Sequence, residues 1–311
     1  MNESNKTLSS DDAVELLILP LLTFVIALWG LIGNTVVIWL LGFRLRRNSF
    51  SVYILNLAVS DFLFLSNLIL MFIVTILVLF NPIFTFALQC FSATFLVLYI
   101  LSLSILSAIS TERCLSVLCP IWYRCHRPRN LSVVTCVLLW ALSLFLVILE
   151  EIYCTLIVHL DNDGWCQVTE FVIASWLIFL FVTLFGSSFT LLVKMCGSQR
   201  KKLTRLFVTV VLSVLVFFLC GLPLGIYHLL LSRIQEHSNK VASAWSILLS
   251  CINSSSNPII YFLVGSFRHR LGRRNLKVFF QRALEDTPEV EESGGSLSQE
   301  TMEMYQSSVA S

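Results

Sequence analysis

Charge is what this chain has least of. Only 13% of its 311 residues are Asp, Glu, Lys or Arg, against about 25% in soluble proteins. Between Asp61 and Glu112 there is no charged side chain at all, while 57% of the chain is hydrophobic and Phe alone contributes 24 residues. Such a composition excludes a soluble globular domain and belongs to a membrane protein. Paired cysteines of the CxxC type are also missing, and the ten cysteines are scattered, so no zinc-finger-like site is expected. No nucleophile–base pair suggests an enzyme, so no catalytic residue, resident metal or nucleic-acid role is expected. Matched pairs of broken helices, the mark of a transporter repeat, are lacking. So is a row of intramembrane charges that would suggest a pore or voltage sensor. A cleavable leader is not expected, because residues 1–15 are polar and acidic and the first apolar run is too long for a signal core.

What is present is a series of charge-free intervals. A spanning helix needs about 20 predominantly apolar residues. The intervals give spans over 16–43, 130–149, 171–193, 206–232 and 241–267. The long gap after Asp61 holds two, 50–80 and 85–113, divided by Asn81-Pro82, a turn-forming pair. The expected fold is an all-α membrane protein, a seven-helix bundle over 16–263. It is flanked by an N-terminal segment (1–15), a short amphipathic surface helix (264–286) rich in Arg, Lys and Phe, and a Ser- and Glu-rich disordered tail (287–311). Orientation follows from Lys and Arg. Eighteen of the 21 lie in or beside the three same-side loops and the tail; only Lys6, Arg233 and Lys240 fall on the other side. The N-terminus is therefore expected outside and the tail in the cytosol, in a multi-pass protein of the plasma membrane. Asn2 and Asn5 each open a glycosylation triplet on the outer side.

Ionisable and amide side chains inside a membrane are costly and mark function by default. Asp61 lies within the second span, Ser102 in the third, Asn34 in the first, and Asn253, Ser254 and Asn257 in the seventh. Together they could line a central polar pocket for a small monovalent cation such as sodium, or for ordered waters. The alternative is a hydrogen-bond network that only holds helices together. Pro258 in SSSNPIIYF and Pro223 in FFLCGLP each remove a backbone donor from a span, giving two neighbouring helices a place to bend. The outer side carries ten carboxylates, Glu150 and Glu170 among them, against its three basic residues, and so attracts cations. Tyr99, Trp165, Trp176, Tyr227 and Trp245 could offer aromatic walls.

The stretches GNTVVIWLLGF, ILNLAVSDFLFL, LSAISTERCLSVLCPIWYRCHRP, FFLCGLPLGI and NPIIYFLVGSFRHR together resemble a rhodopsin-like G-protein-coupled receptor, specifically the Mas-related family associated with itch, pain and mast-cell responses. The resemblance implies a receptor for an extracellular cationic peptide or small cationic agonist, expressed in sensory neurons or mast cells. Its expected partners are heterotrimeric G proteins of phospholipase-coupled or inhibitory type, arrestin and the lipid bilayer. The rival class is a membrane transport protein. Glu112-Arg113-Cys114 stands where most relatives have Asp-Arg-Tyr, so Arg113 is expected to be held by its acidic neighbour at rest and to meet the G protein on activation. Asn34, Asp61, Trp140, Pro223 and Pro258 match the family's anchor positions of helices one, two, four, six and seven, and the resemblance implies a part in activation for Pro223, Asn257, Pro258 and Tyr261. Gly221 stands where most relatives keep a ligand-sensing Trp, so that sensor is absent. The fifth span lacks its usual proline, and Leu203 replaces an acid that would lock Arg113, so basal activity is expected. Phe95 replaces the aspartate of amine receptors. Leu88 stands in place of the usual disulfide cysteine of helix three; in the resembled family Cys154 and Cys166 are joined instead. That bridge would bring Glu150 and Glu170 together as a cation site.

Overall fold

A computed structural model of the chain describes residues 10–44, 49–128, 130–156, 164–197, 205–227 and 240–266. The glycosylation triplets, all but the first three residues of the surface helix expected over 264–286, and the tail lie outside these; residues 264–266 instead continue the last spanning helix. The described chain is helical, with no strand among the described residues. Helix α1 spans Ser10–Trp39 and runs on through a π turn, Leu40–Arg44. Helix α2 is Ser49–Phe80, and a single 3-10 turn, Pro82–Phe84, leads into α3, Thr85–Leu118. A short α4, Pro120–Cys125, precedes α5, Leu131–Glu151, which continues through a π turn at Ile152–Leu156. Then come α6, Gly164–Gly197, and a broken sixth span: α7, Arg205–Val216, a π turn, Phe217–Gly221, and α8, Leu222–Ile226. Helix α9, Lys240–Ser266, completes the bundle.

Six of these helical runs are long and apolar enough to cross a bilayer. The seventh, α9, is long enough at 27 residues, but Ser246, Ser250, Asn253, Ser254, Ser255, Ser256 and Asn257 dilute its apolarity. All seven of these side chains are buried or half-buried. The bundle is apolar outside, and its polar side chains are enclosed within an otherwise apolar core. Trp29 is 72% exposed, with Leu28 and Ile32 beside it, whereas Asn34, Ser60, Asp61 and Ser110 are fully enclosed. That inversion is what a hydrocarbon solvent demands.

Local chemistry accounts for the breaks. Asn81 adopts an extended backbone (φ −150°, ψ 115°) and its side-chain oxygen accepts from the Ile83 N–H at 3.1 Å, so Asn81-Pro82 starts a new helix. Cys119, ahead of Pro120, leaves the helical region (φ −124°, ψ 61°), as steric conflict with a following proline ring requires. Several helices overrun the spans read from charge, α1 among them, which begins at Ser10 instead of 16. Helix α3 continues past Arg113 to Leu118, and α6 begins at Gly164 instead of 171. A charge-free interval measures the hydrocarbon crossing, whereas helical hydrogen bonding stops only at a capping residue or proline. The consequence is that Trp165, Cys166 and Glu170 all sit on one regular helix.

Pro258 lies inside α9 without ending it. Having no N–H, it leaves the Ser254 carbonyl without its helical donor. The Asn34 side-chain amide of α1 supplies one at 3.2 Å while also donating to Gly30 O at 3.0 Å. Gly33 makes this approach possible, since a Cβ there would stand 3.0 Å from that of Pro258; a Cβ at Gly30 would collide with Ser255 and Leu65. Small residues of this kind let membrane helices pack backbone to backbone.

Candidate functional site

Chemistry collects at three depths of the bundle. At one end Cys154, in the turn after α5, is bonded to Cys166, in the first turn of α6, with their Cα atoms 4.8 Å apart. Cys90 is a free, exposed thiol. Glu150 stands four residues before Cys154 and Glu170 four after Cys166, so each lies about one helical turn inside the bridge. Both carboxylates are half-buried, and Glu170 reaches within 4.8 Å of both sulfurs. The sulfurs are bonded to each other and offer no thiolate, so this group does not form a metal centre. Tyr153 and Trp165, the neighbours of the two cysteines, stack with ring centroids 5.8 Å apart. Trp165 is 61% exposed. Deeper on α6, half-buried Trp176 stacks on Phe179 at 5.4 Å, and its indole N–H has no hydrogen-bond partner among the described residues. Trp245 is exposed near the start of α9, and Tyr227 is half-buried at the end of the sixth span.

Tyr99 does not join this group. It is 5% exposed, and its hydroxyl donates to the Gly221 carbonyl at 3.1 Å, tying α3 to the broken sixth span. A Cβ at 221 would stand 2.5 and 2.7 Å from ring carbons of Phe217, and one at 225 would stand 2.7 Å from both the Tyr99 hydroxyl and the Phe181 ring. The place of a large sensing side chain is thus taken by Phe217, turned in from one helical turn away.

Beneath this contact lies the polar centre. Asp61 accepts from Asn257 Nδ2 at 2.7 Å and from Ser102 Oγ at 3.3 Å, and Ser102 also bonds Ser60 at 3.0 Å. Asn253, Ser254 and Ser250 line the same cavity of about 10 Å³, and the buried Ser250 hydroxyl has no partner among the described residues. A cavity of this size holds about one water. Tyr261 is buried one turn beyond Asn257 on α9.

At the opposite end of the bundle Glu112 is buried. Its carboxylate accepts from the Tyr123 hydroxyl at 2.9 Å and from the Arg127 guanidinium, which also bonds Ser132 Oγ. Burial raises the Tyr123 phenol above its ordinary pKa, keeping the proton it donates. The Arg113 guanidinium lies over the Phe50 ring, 4.0 Å from its centroid. Glu112 was expected to hold Arg113; its cation contact in the structure is Arg127. Sequence reasoning used Arg127 only as a topological marker, and Tyr123 and Phe50 not at all. The cluster WYRCHRP was the available signal, but residue spacing does not say which side chain of a loop turns back.

The family model "7 transmembrane receptor (rhodopsin family)" matches residues 33–261. A Mas-related G-protein coupled receptor member X2 from Rhinopithecus bieti is 52% identical, with 99% of this chain and 96% of that protein covered. Member X3 from Macaca mulatta is 53% identical (92% and 89% covered), and the human member X1 51% (92% and 89%).

The chain belongs to the Mas-related receptors of the rhodopsin family.

It is therefore a multi-pass membrane receptor and not an enzyme, and a transport protein is not favoured. Signalling through G proteins follows from membership. In this receptor the matched segment runs from Gly33, which packs against Pro258, to Tyr261. It thus takes in all three centres.

Proposed function

We propose that the receptor sits in the plasma membrane with its N-terminus outside and detects a cationic peptide or small cationic ligand at Glu150 and Glu170. The carrying observation is the Cys154–Cys166 bridge, which pins the outer ends of α5 and α6 together one turn above both carboxylates. Two partly desolvated carboxylates suit an arginine or lysine side chain, because ionic hydrogen bonds are the strong ones. Trp165 and Trp176 add faces on which a cation can rest, with Trp245 and Tyr227 across the mouth. Ligand binding is passed through the Tyr99–Gly221 contact to the bend at Pro223 and Pro258, and on to Arg113, the group that meets the G protein. Phospholipase-coupled and inhibitory G proteins are the expected partners, with arrestin ending the signal, in sensory neurons or mast cells. The cavity under Asp61 takes an ordered water or one sodium ion. Its hard oxygens, Asp61, Ser102 and the unpartnered Ser250, fit either guest.

Titration of basic peptides and small amines on single variants tests the acid pair. Loss of a charge-assisted contact costs about 1.5–3 kcal/mol, roughly ten- to more than a hundredfold in potency. At equal surface expression, Glu150→Gln and Glu170→Gln are expected to lose that much, and Glu151→Gln and Asp161→Asn only slightly. Equal, small losses at all four positions would mean diffuse attraction and a site elsewhere.

A further inference from the structure

We propose that Arg127 and Arg113 compete for the single carboxylate of Glu112, which makes the second cytosolic loop a positioning element of the switch. The proposal rests on the reading of Arg113 as the group that meets the G protein. Glu112 is 6% exposed, and a buried carboxylate needs both a cation and hydrogen bonds. Arg127 provides the cation and is itself held on three sides. It bonds Glu112 and Ser132, and its guanidinium carbon lies 5.3 Å from the centroid of the Tyr123 ring. Tyr123 provides the second bond to the same carboxylate oxygen. The loop therefore brings a cation and a hydroxyl donor to one oxygen of an acid that belongs to α3. Arg113, the next residue, is 7% exposed and rests its guanidinium on Phe50 of α2.

Consider the bundle with the Arg127 charge removed. Glu112 becomes a buried anion without its cation, a state that costs several kcal/mol if nothing moves. The guanidinium of the adjacent Arg113 is the one best placed to relieve it, by leaving the Phe50 ring for the carboxylate. Arg113 is then tied down and less available at the cytosolic opening. The sign is opposite to that of a simple loop brace: Arg127 favours the signalling state by occupying the acid that would otherwise hold Arg113.

The readout is the affinity of the receptor in lipid nanodiscs, with no agonist, for purified nucleotide-free heterotrimers of the phospholipase-coupled and inhibitory types. Arg127→Gln is expected to weaken binding by about fivefold or more. Arg127→Lys, which keeps the charge but loses the fork, is expected to retain most of it. Glu112→Gln is expected to strengthen binding, and adding Arg127→Gln to it is expected to change nothing, because no anion is left to compete for. A purely structural role of Arg127 would persist in the Glu112→Gln background. Binding by Arg127→Gln equal to wild type, or an equal loss in both backgrounds, overturns the proposal. Should Arg127→Gln fail to fold, Ser132→Ala removes only one hydroxyl that orients Arg127. It must weaken binding in the wild type and not in Glu112→Gln, and equal effects in both overturn the idea as well. Arg113→Ala separates the two readings. Undiminished binding by that variant rejects the role of Arg113 itself, whereas its loss alongside an unaffected Arg127→Gln rejects only the competition.

Discussion

Gly221 carries more of the interior than a missing side chain suggests. Its lack of a Cβ admits the Phe217 ring, which is buried and packed near Phe181 and Phe218 with centroids 5.9 Å away in each case. The ring is therefore poorly able to yield. Gly221→Ala is expected to destabilise the receptor by about 1–3 kcal/mol, the usual cost of overpacking, and to lower the thermal unfolding midpoint of solubilised protein. In a Phe217→Leu background the added methyl finds room and the penalty should shrink. An unchanged midpoint for Gly221→Ala alone would show that the ring moves freely. The sequence made the absent indole at 221 visible. It did not make visible what fills the space, because FFLCGLP holds two adjacent phenylalanines and only the π turn at Phe217–Gly221 decides which one turns inward.

Helix positions were readable from charge-free intervals because the bilayer sorts composition directly, and Asn81-Pro82 divided α2 from α3 because each residue has one strong local preference. Helix pairing was less readable, since one apolar face looks like another in sequence and neighbours are chosen by small contacts. Helices α1 and α9 show this. Pro258 was legible as a bend, but the helix passes through it because Asn34 donates to the Ser254 carbonyl from 220 residues away. Helix α6, which lacks a proline, is tied to α3 by hydroxyls instead: Ser187 donates to Ser110 at 2.7 Å, and Ser110 and Ser188 lie 3.0 Å apart. The α1–α9 pairing yields a cycle of variants. Asn34→Ala leaves a buried carbonyl unsatisfied, at a cost of about 1–3 kcal/mol. Pro258→Ala returns an N–H to that carbonyl, so Asn34→Ala should cost distinctly less in the Pro258→Ala background. Equal drops in the thermal midpoint in both backgrounds would mean that Asn34 acts only through Gly30, its other acceptor.

At the scale of the whole molecule, the order of the spans was legible from the charge-free intervals, and the clustering of Lys and Arg carries the expected orientation. The pairing of Glu150 with Glu170 comes only from family resemblance. Nothing in the spacing of Glu150 and Glu170 shows that two helices meet there; the bridge between Cys154 and Cys166 joins the helices that carry them. What that bridge does for the receptor can be separated into stability and site geometry. With a sequence separation of 12, a chain-entropy argument for a soluble protein gives about 3 kcal/mol. That figure compares the folded chain with one free to spread in water. Here α5 and α6 remain threaded through the bilayer whether or not the bundle is packed, so their ends are already confined and the entropic gain from the bridge is smaller. The geometric effect is not reduced in this way, since the bridge, with the Tyr153–Trp165 stack beside it, joins the very turns that lead to the two carboxylates. Replacing both cysteines by serine is therefore expected to lower the thermal midpoint by only a few degrees. At equal surface density it should reduce the response to basic peptides at least as much as Glu150→Gln does, about tenfold or more. Midpoint and potency measured on the same preparation decide the matter. A large fall in midpoint with potency retained would mean that the bridge is a brace for the bundle and that the two carboxylates find each other without it.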